Sequence, residues 1–369
     1  MRRWILWLVS LSLLFGLTGC SDTAPLKEKL IIEGIGVDYA ENRFEVTLQV
    51  YAPSTEGVSK KGYQTFSAVG ETLYQALRLV DENTGKYSYY SDTKVVVFSL
   101  DALQKGLWNN VEYVVRSSEM GSNVALAATR GRAADLLTVE GEGNNIPARV
   151  LSNALHYGKS DVGPISGELM TVSAMLVNDW GEVSLPMLAV EKKEGKGYPY
   201  FDGVLCFHQD TPQYQMTEQE KWVYNWMHEY YDDRAFVLPY DNHLYALQIR
   251  DSKRKIKVYV DKDVPVFTVS LTLTCDIMET NSAHGVVLTD LEDLKTKMEE
   301  TVSNLTRSTL QQVAVTQQCD VFDLGRTLRK QHHDFVRRAG DLSTALKNSR
   351  FECITEVIIA RAGQGSVDE

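Results

Sequence analysis

Apolar and polar residues alternate with period two in several stretches of the chain. Phe44, Val46, Leu48 and Val50 alternate with Glu45, Thr47 and Gln49, so Asn42 to Ala52 reads as a strand with one buried face. Leu30 to Val37 is a second strand, and the short polar link Asp38 to Asn42 predicts a hairpin between them. Ser54 to Gly62 is a polar loop. At Glu71 the period changes. Leu73, Ala76, Leu77 and Val80 share one helical face up to Glu82, and Gly85 is placed to end that helix. Lys94 to Leu100 is a buried strand through Val95 to Phe98. Asp101 can cap a helix running to about Met120, with Leu103, Leu107, Val111 and Val114 or Val115 inward. Val124 to Thr129 completes an alternation of strands and helices, which predicts helices packed on a sheet. Helices over Ile146 to Leu155 and Glu168 to Leu176, then a strand over Leu185 to Val190, follow.

The run Lys192 to Gly197 is charged and glycine-rich and reads as a domain boundary. A strand restarts at Phe201 to Phe207. Thr217-Glu-Gln-Glu220 is a capping box, opening a helix with Trp222, Val223 and Trp226 on one face. His243 to Arg250 and Lys255 to Val260 read as paired strands. Phe267, Val269, Leu271, Leu273 and Cys275 alternate with Thr268, Ser270, Thr272 and Thr274, the cleanest strand pattern in the chain. A second capping box, Thr289-Asp-Leu-Glu292, opens a long helix with the stripe Leu291, Leu294, Met298, Val302 and Leu305, running to about Gln317. Asp320 to Ala339 reads as helix and Ile354 to Ala360 as a closing strand, with a mobile tail from Gly363. The expected fold is mixed α+β and α/β, multi-domain, with mixed sheets flanked by helices. Its expected parts are residues 1–19, a signal peptide; 20–60, a linker and hairpin domain; 61–195, an α/β middle domain; and 198–369, a C-terminal α/β domain with the long helix. The hairpin has the option of pairing with the strand near 201–207.

The first residues add a location. Arg2 and Arg3 precede an apolar run, Ile5 to Leu17, too short to cross a bilayer as a helix of roughly 20 residues. It has the form of a signal peptide. Leu17-Thr18-Gly19-Cys20 then looks like a bacterial lipobox: cleavage between Gly19 and Cys20, with diacylglycerol on the Cys20 sulfur and an acyl group on its new amino terminus. An ordinary signal with a chance cysteine, or an uncleaved anchor, are the alternatives. One acyl chain holds a protein only marginally, whereas two or three hold it firmly.

Composition narrows the function classes. The chain has 369 residues and a formal net charge of −11, and loss of Arg2 and Arg3 with the signal takes it to about −13. A nucleic-acid binder needs a basic face, so none is expected as a partner. Apart from Cys20, the cysteines are Cys206, Cys275, Cys319 and Cys353, widely spaced and without a zinc pattern. Two disulfides or four buried thiols both fit them. Gly34-Ile-Gly36 lacks the third glycine of a dinucleotide fingerprint, and Gly85-Lys86 and Gly158-Lys159 lack the earlier glycine of a phosphate loop. No Gly-x-Ser-x-Gly elbow occurs. His228-Glu229 has no second histidine at metalloprotease spacing. His332 and His333, adjacent on a helix, would point about 100° apart. Acidic pairs such as Asp232-Asp233 and Glu299-Glu300 read as solvated. Catalytic, cofactor and metal residues are therefore none. Tyr87, Tyr89 and Tyr90, and the set Trp222, Tyr224, Trp226, Tyr230 and Tyr231, are aromatic clusters that serve either core packing or a protein partner.

The order of features resembles the Ger(x)C family, the lipoprotein subunits of spore germinant receptors. Gly19-Cys20-Ser-Asp22 is similar to its Gly-Cys-Trp-Asp opening, with Ser21 in place of the Trp. Ile32 to Asp38 with the Phe44 to Val50 strand resembles its first hairpin. Thr65 to Leu77, Lys94 to Phe98, Leu185-Pro186 and Phe201 to Leu205 resemble further elements in the same order. Cys319-Asp-Val-Phe-Asp-Leu-Gly-Arg-Thr-Leu328 is close to its D-x-F-G-x-G-x-x-L motif, with Asp323-Leu324 in place of the usual pair before Gly325. The resemblance implies three mixed α/β domains and no catalytic group. It also implies two integral membrane subunits as partners in the inner membrane of a dormant spore. The function so implied is a lipid-anchored, non-enzymatic subunit needed for the response to nutrient germinants. Two other classes stay open: a lipid-anchored solute-binding protein hinged near Lys192 to Gly197, and a surface hydrolase.

Overall fold

In the computed structural model the described residues are 25, 28–52, 62–116, 120–139, 146–157, 169–178, 182–193, 196–229, 235–282, 291–362 and 365–366. The expected signal peptide with Gly19 and Cys20, Ser54 to Lys61 of the polar loop, Thr289 of the second capping box, Asp232-Asp233, Tyr230-Tyr231 and most of the tail lie outside them.

β1 (Lys29–Ala40) and β2 (Arg43–Tyr51) form the expected hairpin, with Val37 opposite Val46 and Asp38 opposite Glu45. Glu41 and Asn42 both take positive φ, 50° and 63°, which fits the twist of a two-residue hairpin turn. β3 (Tyr63–Gly70) adds to β2. Helix α1 (Leu73–Thr84) starts at Thr72, whose hydroxyl accepts the Gln75 N–H at 3.1 Å. It ends at Gly85, where φ is +64° and the N–H donates to the Asp81 carbonyl at 2.8 Å. β4 (Tyr87–Tyr89) and β5 (Val95–Ser99) then flank β1 in parallel. Ser99, not Asp101, caps the next helix, accepting the Ala102 N–H at 3.3 Å. That helix is not continuous: α2 (Leu100–Leu103) stops before Gly106, at φ +98°, and α3 (Leu107–Arg116) starts afresh.

β6 (Ala125–Thr129), helices α4 (Ala133–Thr138), α5 (Pro147–Tyr157) and α6 (Leu169–Asn178), and strands β7 (Ser184–Lys193), β8 (Lys196–His208) and β9 (Thr211–Gln215) complete a nine-stranded sheet of order β3-β2-β1-β5-β6-β7-β8-β9, with β4 beside β1. Alternate residues of β5 and β6 feed two cores. Val96, Phe98 and Leu126 meet α1, α2, α3 and α6, whereas Val95, Val97 and Ala125 meet α4 and α5. Helices thus cover both faces, which is why these parallel strands read as unbroken apolar runs. Each Val, Leu or Phe side chain so buried stabilises the fold by ~1.5–3 kcal/mol.

The second half adds α7 (Glu218–Met227), β10 (Ala235–Tyr240), β11 (His243–Asp261), β12 (Val264–Thr280), α8 (Leu291–Leu310) with a π-helical extension over Gln311–Thr316, α9 (Leu324–Gln331), α10 (His333–Ala339), α11 (Leu342–Leu346), β13 (Arg350–Ala362) and β14 (Gly365–Ser366). Its sheet runs β10-β11-β12-β13-β14. The first capping box is complete: the Glu220 N–H donates to Thr217 Oγ1 at 3.3 Å, and the Thr217 N–H to Glu220 Oε2 at 2.8 Å.

Further sequence expectations change. The two strands expected over 243–260 are one, β11, paired with β12 on one side and β10 on the other. The polar run Asp251 to Arg254 holds no glycine or proline to turn the chain and stays in the ladder. The helix expected over Asp320 to Ala339 is α9 and α10, broken at His332, whose φ is −137°. Lys192 to Gly197, expected as a domain boundary, lies at the end of the β7–β8 hairpin. The N-terminal hairpin shares a sheet with Phe201, but β5, β6 and β7 stand between β1 and β8. Cys206, Cys275, Cys319 and Cys353 are free, buried thiols. Among the described residues no helix is long and apolar enough to cross a membrane.

Candidate functional site

The two sheets meet where β8 ends. Val204 and Cys206 of β8 and Met216 after β9 belong to the same buried core as α7, β11, β12 and α8. Tyr224 of α7 reaches back to β7, its hydroxyl 2.9 Å from Ser184 Oγ. Beside this joint opens a cavity of about 420 Å³, walled by Trp108, Met175 and Leu176 from the first half and Leu342 and Leu346 from the second.

Carboxylates at its rim brace loops from different parts of the chain. Glu182 accepts the Gln209 N–H at 2.6 Å and faces His208 Nδ1 at 3.1 Å. His208 Nδ1 also lies 2.8 Å from the Gln318 carbonyl, across the joint. Asp210 accepts the Trp108 N–H, and its own carbonyl accepts that of Leu107 at 2.8 Å, which fixes the start of α3. Asp320 accepts the N–H of Leu324 at 2.9 Å and of Gly325 at 2.6 Å. Burial raises Glu182 above the usual carboxylate range, against the pull of the Gln209 N–H and His208. Burial likewise pushes Asp320 up to about 6, opposed by the N–H groups of Gly325, Leu324 and Phe322. Perturbed acids at a cavity mark it as the leading candidate site. Because backbone N–H groups already occupy these oxygens, they position loops across the joint.

The loop after Cys319 is built around Asp320. Asp323 sits at φ +63°, tolerated for an aspartate. A side chain on Gly325 would place its Cβ 2.9 Å from Asp320 Oδ2 and 3.2 Å from Leu342 Cδ1, so only glycine fits. Phe322 is fully buried, with its ring 6.2 Å from Tyr224 and 6.4 Å from His228, centre to centre. Arg254 holds the loop from β11, donating to the Phe322 carbonyl at 3.1 Å and to Asp323 Oδ2 at 3.2 Å. Burial lowers His228 from its ordinary value, so it stays neutral beneath this loop.

In many α/β sheets the C-terminal ends of the parallel strands hold a ligand at a helix N-terminus. Here Asp38 fills that position. Its carboxylate accepts the N–H of Ala133 at 2.8 Å and of Ala134 at 3.1 Å, and burial raises its pKa.

Residues 22–190 match the family model described as spore germination protein N-terminal domain, and residues 202–363 match the one described as spore germination B3/GerAC like, C-terminal. The chain belongs to the Ger(x)C family of spore germination proteins. Spore germination protein B3 of Bacillus subtilis (strain 168) is 23% identical over 270 residues, 70% of each chain. Spore germination protein GerQC of Bacillus cereus is 21% identical over 285 residues, 76% of each. The solved structure titled "Crystal Structure of the GerBC protein" superposes with a TM-score of 0.58 at 17% identity, covering 88% of this chain and 96% of that one. It shares the fold.

Of the residues singled out in the sequence, the structure brings the Ger(x)C motif at Cys319 to Leu328, Cys206 and Tyr224 into the joint. Cys20 and Gly19 lie outside the described residues. Glu182, His208 and Asp210 carried no signal, because their partners are far away in sequence. Asp320 had one: an acid five residues before a glycine, at the mouth of a helix. His332 and His333 part company, His332 Nε2 lying 3.0 Å from the Val258 carbonyl and His333 facing solvent. Glu299, read as solvated, accepts the Val357 N–H at 3.0 Å on β13. Trp222, Tyr224 and Trp226 are buried, whereas Tyr87 and Tyr89 are exposed.

Proposed function

We propose that this Ger(x)C chain is the lipid-anchored, non-enzymatic C subunit of a spore germinant receptor. Cys20 carries the lipid, cleavage falling between Gly19 and Cys20. The folded body stands on the outer face of the spore inner membrane, in contact with two integral membrane subunits. The observation that carries this reading is the pair of germination-family matches, which begin two residues after Cys20 and run nearly to the end of the chain. The bracing role of the rim acids supports a scaffold rather than a reaction centre. The continuous core at the joint counts against the two hinged lobes of a solute-binding protein.

Deleting the gene and following dipicolinate release across a panel of nutrients tests the proposal, with wild-type and Cys20→Ala chains restored in parallel. Loss of response to some nutrients, rescued by the wild-type chain and not by Cys20→Ala, is the expected result. Full rescue by Cys20→Ala would remove the anchor from the account. Stoichiometric binding of a nutrient by the isolated soluble body would count against a scaffold.

A further inference from the structure

The end of the large sheet where the chain enters it carries a surface that the joint does not explain. β4 lies parallel to the first residues of β1, with Lys29 opposite Tyr87 and Ile31 opposite Tyr89. Ser88 is pinned: its N–H and hydroxyl both donate to Asp81 Oδ1, at 3.1 and 2.5 Å, on the last turns of α1. With Ser88 held, the period-two geometry of the strand turns both neighbours outward. Tyr87 is 61% and Tyr89 36% exposed. On the other flank of β1, Tyr51 closes β2 and is 39% exposed. Two rings carry a cation: Lys29 Nζ lies 5.1 Å from the Tyr89 centroid, and the Arg149 guanidinium 5.6 Å from that of Tyr51.

We infer that this tyrosine-edged end of the sheet rests in the headgroup layer of a phospholipid bilayer and fixes the body's orientation on it. The inference builds on the lipid-anchor reading. Chain path selects the occupant. Eight residues, Ser21 to Glu28, separate Cys20 from β1, a contour of about 30 Å at most. A lipid on Cys20 therefore keeps this end, and not the far end of the molecule, close to the membrane. Tyrosine suits that boundary because its ring is apolar and its hydroxyl is wet. The cations Lys29, Lys86, Lys94 and Arg149 are nearly balanced by Glu28, Asp92 and the Glu33 that Arg149 engages. The rings, rather than net charge, supply the attraction.

The test uses the mature chain from Cys20, produced without the signal and coupled through Cys20 to a maleimide lipid. The vesicles contain equal parts of phosphatidylcholine and phosphatidylglycerol. The other four cysteines are buried, which leaves Cys20 as the thiol to couple. Hydroxyl-radical oxidation of each tyrosine is then read by mass spectrometry, coupled against uncoupled. Oxidation of Tyr51, Tyr87 and Tyr89 falls several-fold on coupling, while Tyr200 and Tyr259, each 46% exposed, are unchanged. In a Tyr87→Ser/Tyr89→Ser chain the protection of Tyr51 is lost. The proposal is overturned by unchanged oxidation at the three sites, by an equal fall at Tyr200 and Tyr259, or by persistence of Tyr51 protection in the double variant. Protection that arises only when the integral subunits share the vesicle would overturn it too, making this end a protein interface. Because the coupling is chemical, the outcome is independent of lipidation in the cell. That reading fails separately, if labelled fatty acid does not enter the wild-type chain.

Discussion

Replacing Asp320 by Asn keeps the shape of the brace and removes its charge. The carboxylate accepts two backbone N–H groups, from Leu324 and Gly325, on separate oxygens. Asn offers one oxygen and sets an NH2 against the other donor, leaving a buried N–H unpaired at a cost of about 1–3 kcal/mol. A pH signature separates this from simple crowding. Burial raises Asp320 to about 6, whereas in the unfolded chain it titrates near 3.8. A raised carboxyl binds its proton first in the folded state. Its protonation therefore favours folding progressively as pH falls from above 6 towards 4, and adds nothing at neutral pH. At pH 5 the gain is roughly tenfold in the folding equilibrium, about 1 kcal/mol. Asn cannot make that gain. The stability gap between wild type and Asp320→Asn is thus expected to widen by about 1 kcal/mol between pH 7 and pH 5. Urea unfolding of the mature chain, followed by the fluorescence of the buried Trp222 and Trp226, measures both quantities. A gap that stays constant or narrows would mean that Asp320 is ionised in the fold throughout. A variant as stable as wild type at pH 5, where the wild-type carboxyl is largely protonated and no buried charge offsets the lost hydrogen bond, would mean that the brace is idle.

Substitutions at two further positions probe buried polar atoms. Trp226 is fully buried against Phe236 and Trp222, yet its indole N–H finds no acceptor among the described residues. Trp226→Ala should cost about 3–5 kcal/mol and Trp226→Phe clearly less, since Phe discards the unpaired donor; equal losses in denaturant unfolding would refute this. Gln49 is fully buried and joins two helices on β2, donating to the Leu137 carbonyl and accepting the Ala148 N–H at 2.8 Å. Gln49→Leu strands both backbone groups, at about 1–3 kcal/mol each, and hydrogen exchange at the Ala148 amide should quicken; unchanged exchange there would show the bridge to be dispensable.

Legibility in the sequence followed the range of the interactions. The β1–β2 hairpin, the stop of α1 at Gly85 and the Thr217 capping box are decided within a few residues, and the pattern located them. The helix after β5 departs from the expectation at two points: Ser99 rather than Asp101 supplies the cap, and Gly106, at φ +98°, breaks the run. Asp251 to Arg254 has the polarity of a turn without the glycine or proline of one. Pairing of Lys253 with Thr272 and Lys255 with Ser270 keeps those residues extended. The π-helical extension at Gln311 left no periodic trace. The joint was least legible. Glu182, His208 and Gln318 meet from three distant segments, and nothing local distinguishes an acid that braces a loop from one in solvent.

That joint decides how the molecule can move. A two-lobed binding protein must open and close on a hinge between lobes that share little core. Here Val204, Cys206 and Met216, all buried, pack with residues of the second sheet. Exposing Val204 and Met216 alone costs about 3–6 kcal/mol at the usual value per buried side chain. The His208 contact with Gln318 and the Tyr224 contact with Ser184 would be lost as well. An opening that costly leaves the open state very sparsely populated, and a ligand could shift it only by binding that state correspondingly more tightly. The two halves therefore move as one body. If the proposed lipid on Cys20 tethers such a body at one end, what remains adjustable is its orientation and the partners it meets, and the exposed tyrosines around β1 lie at that end.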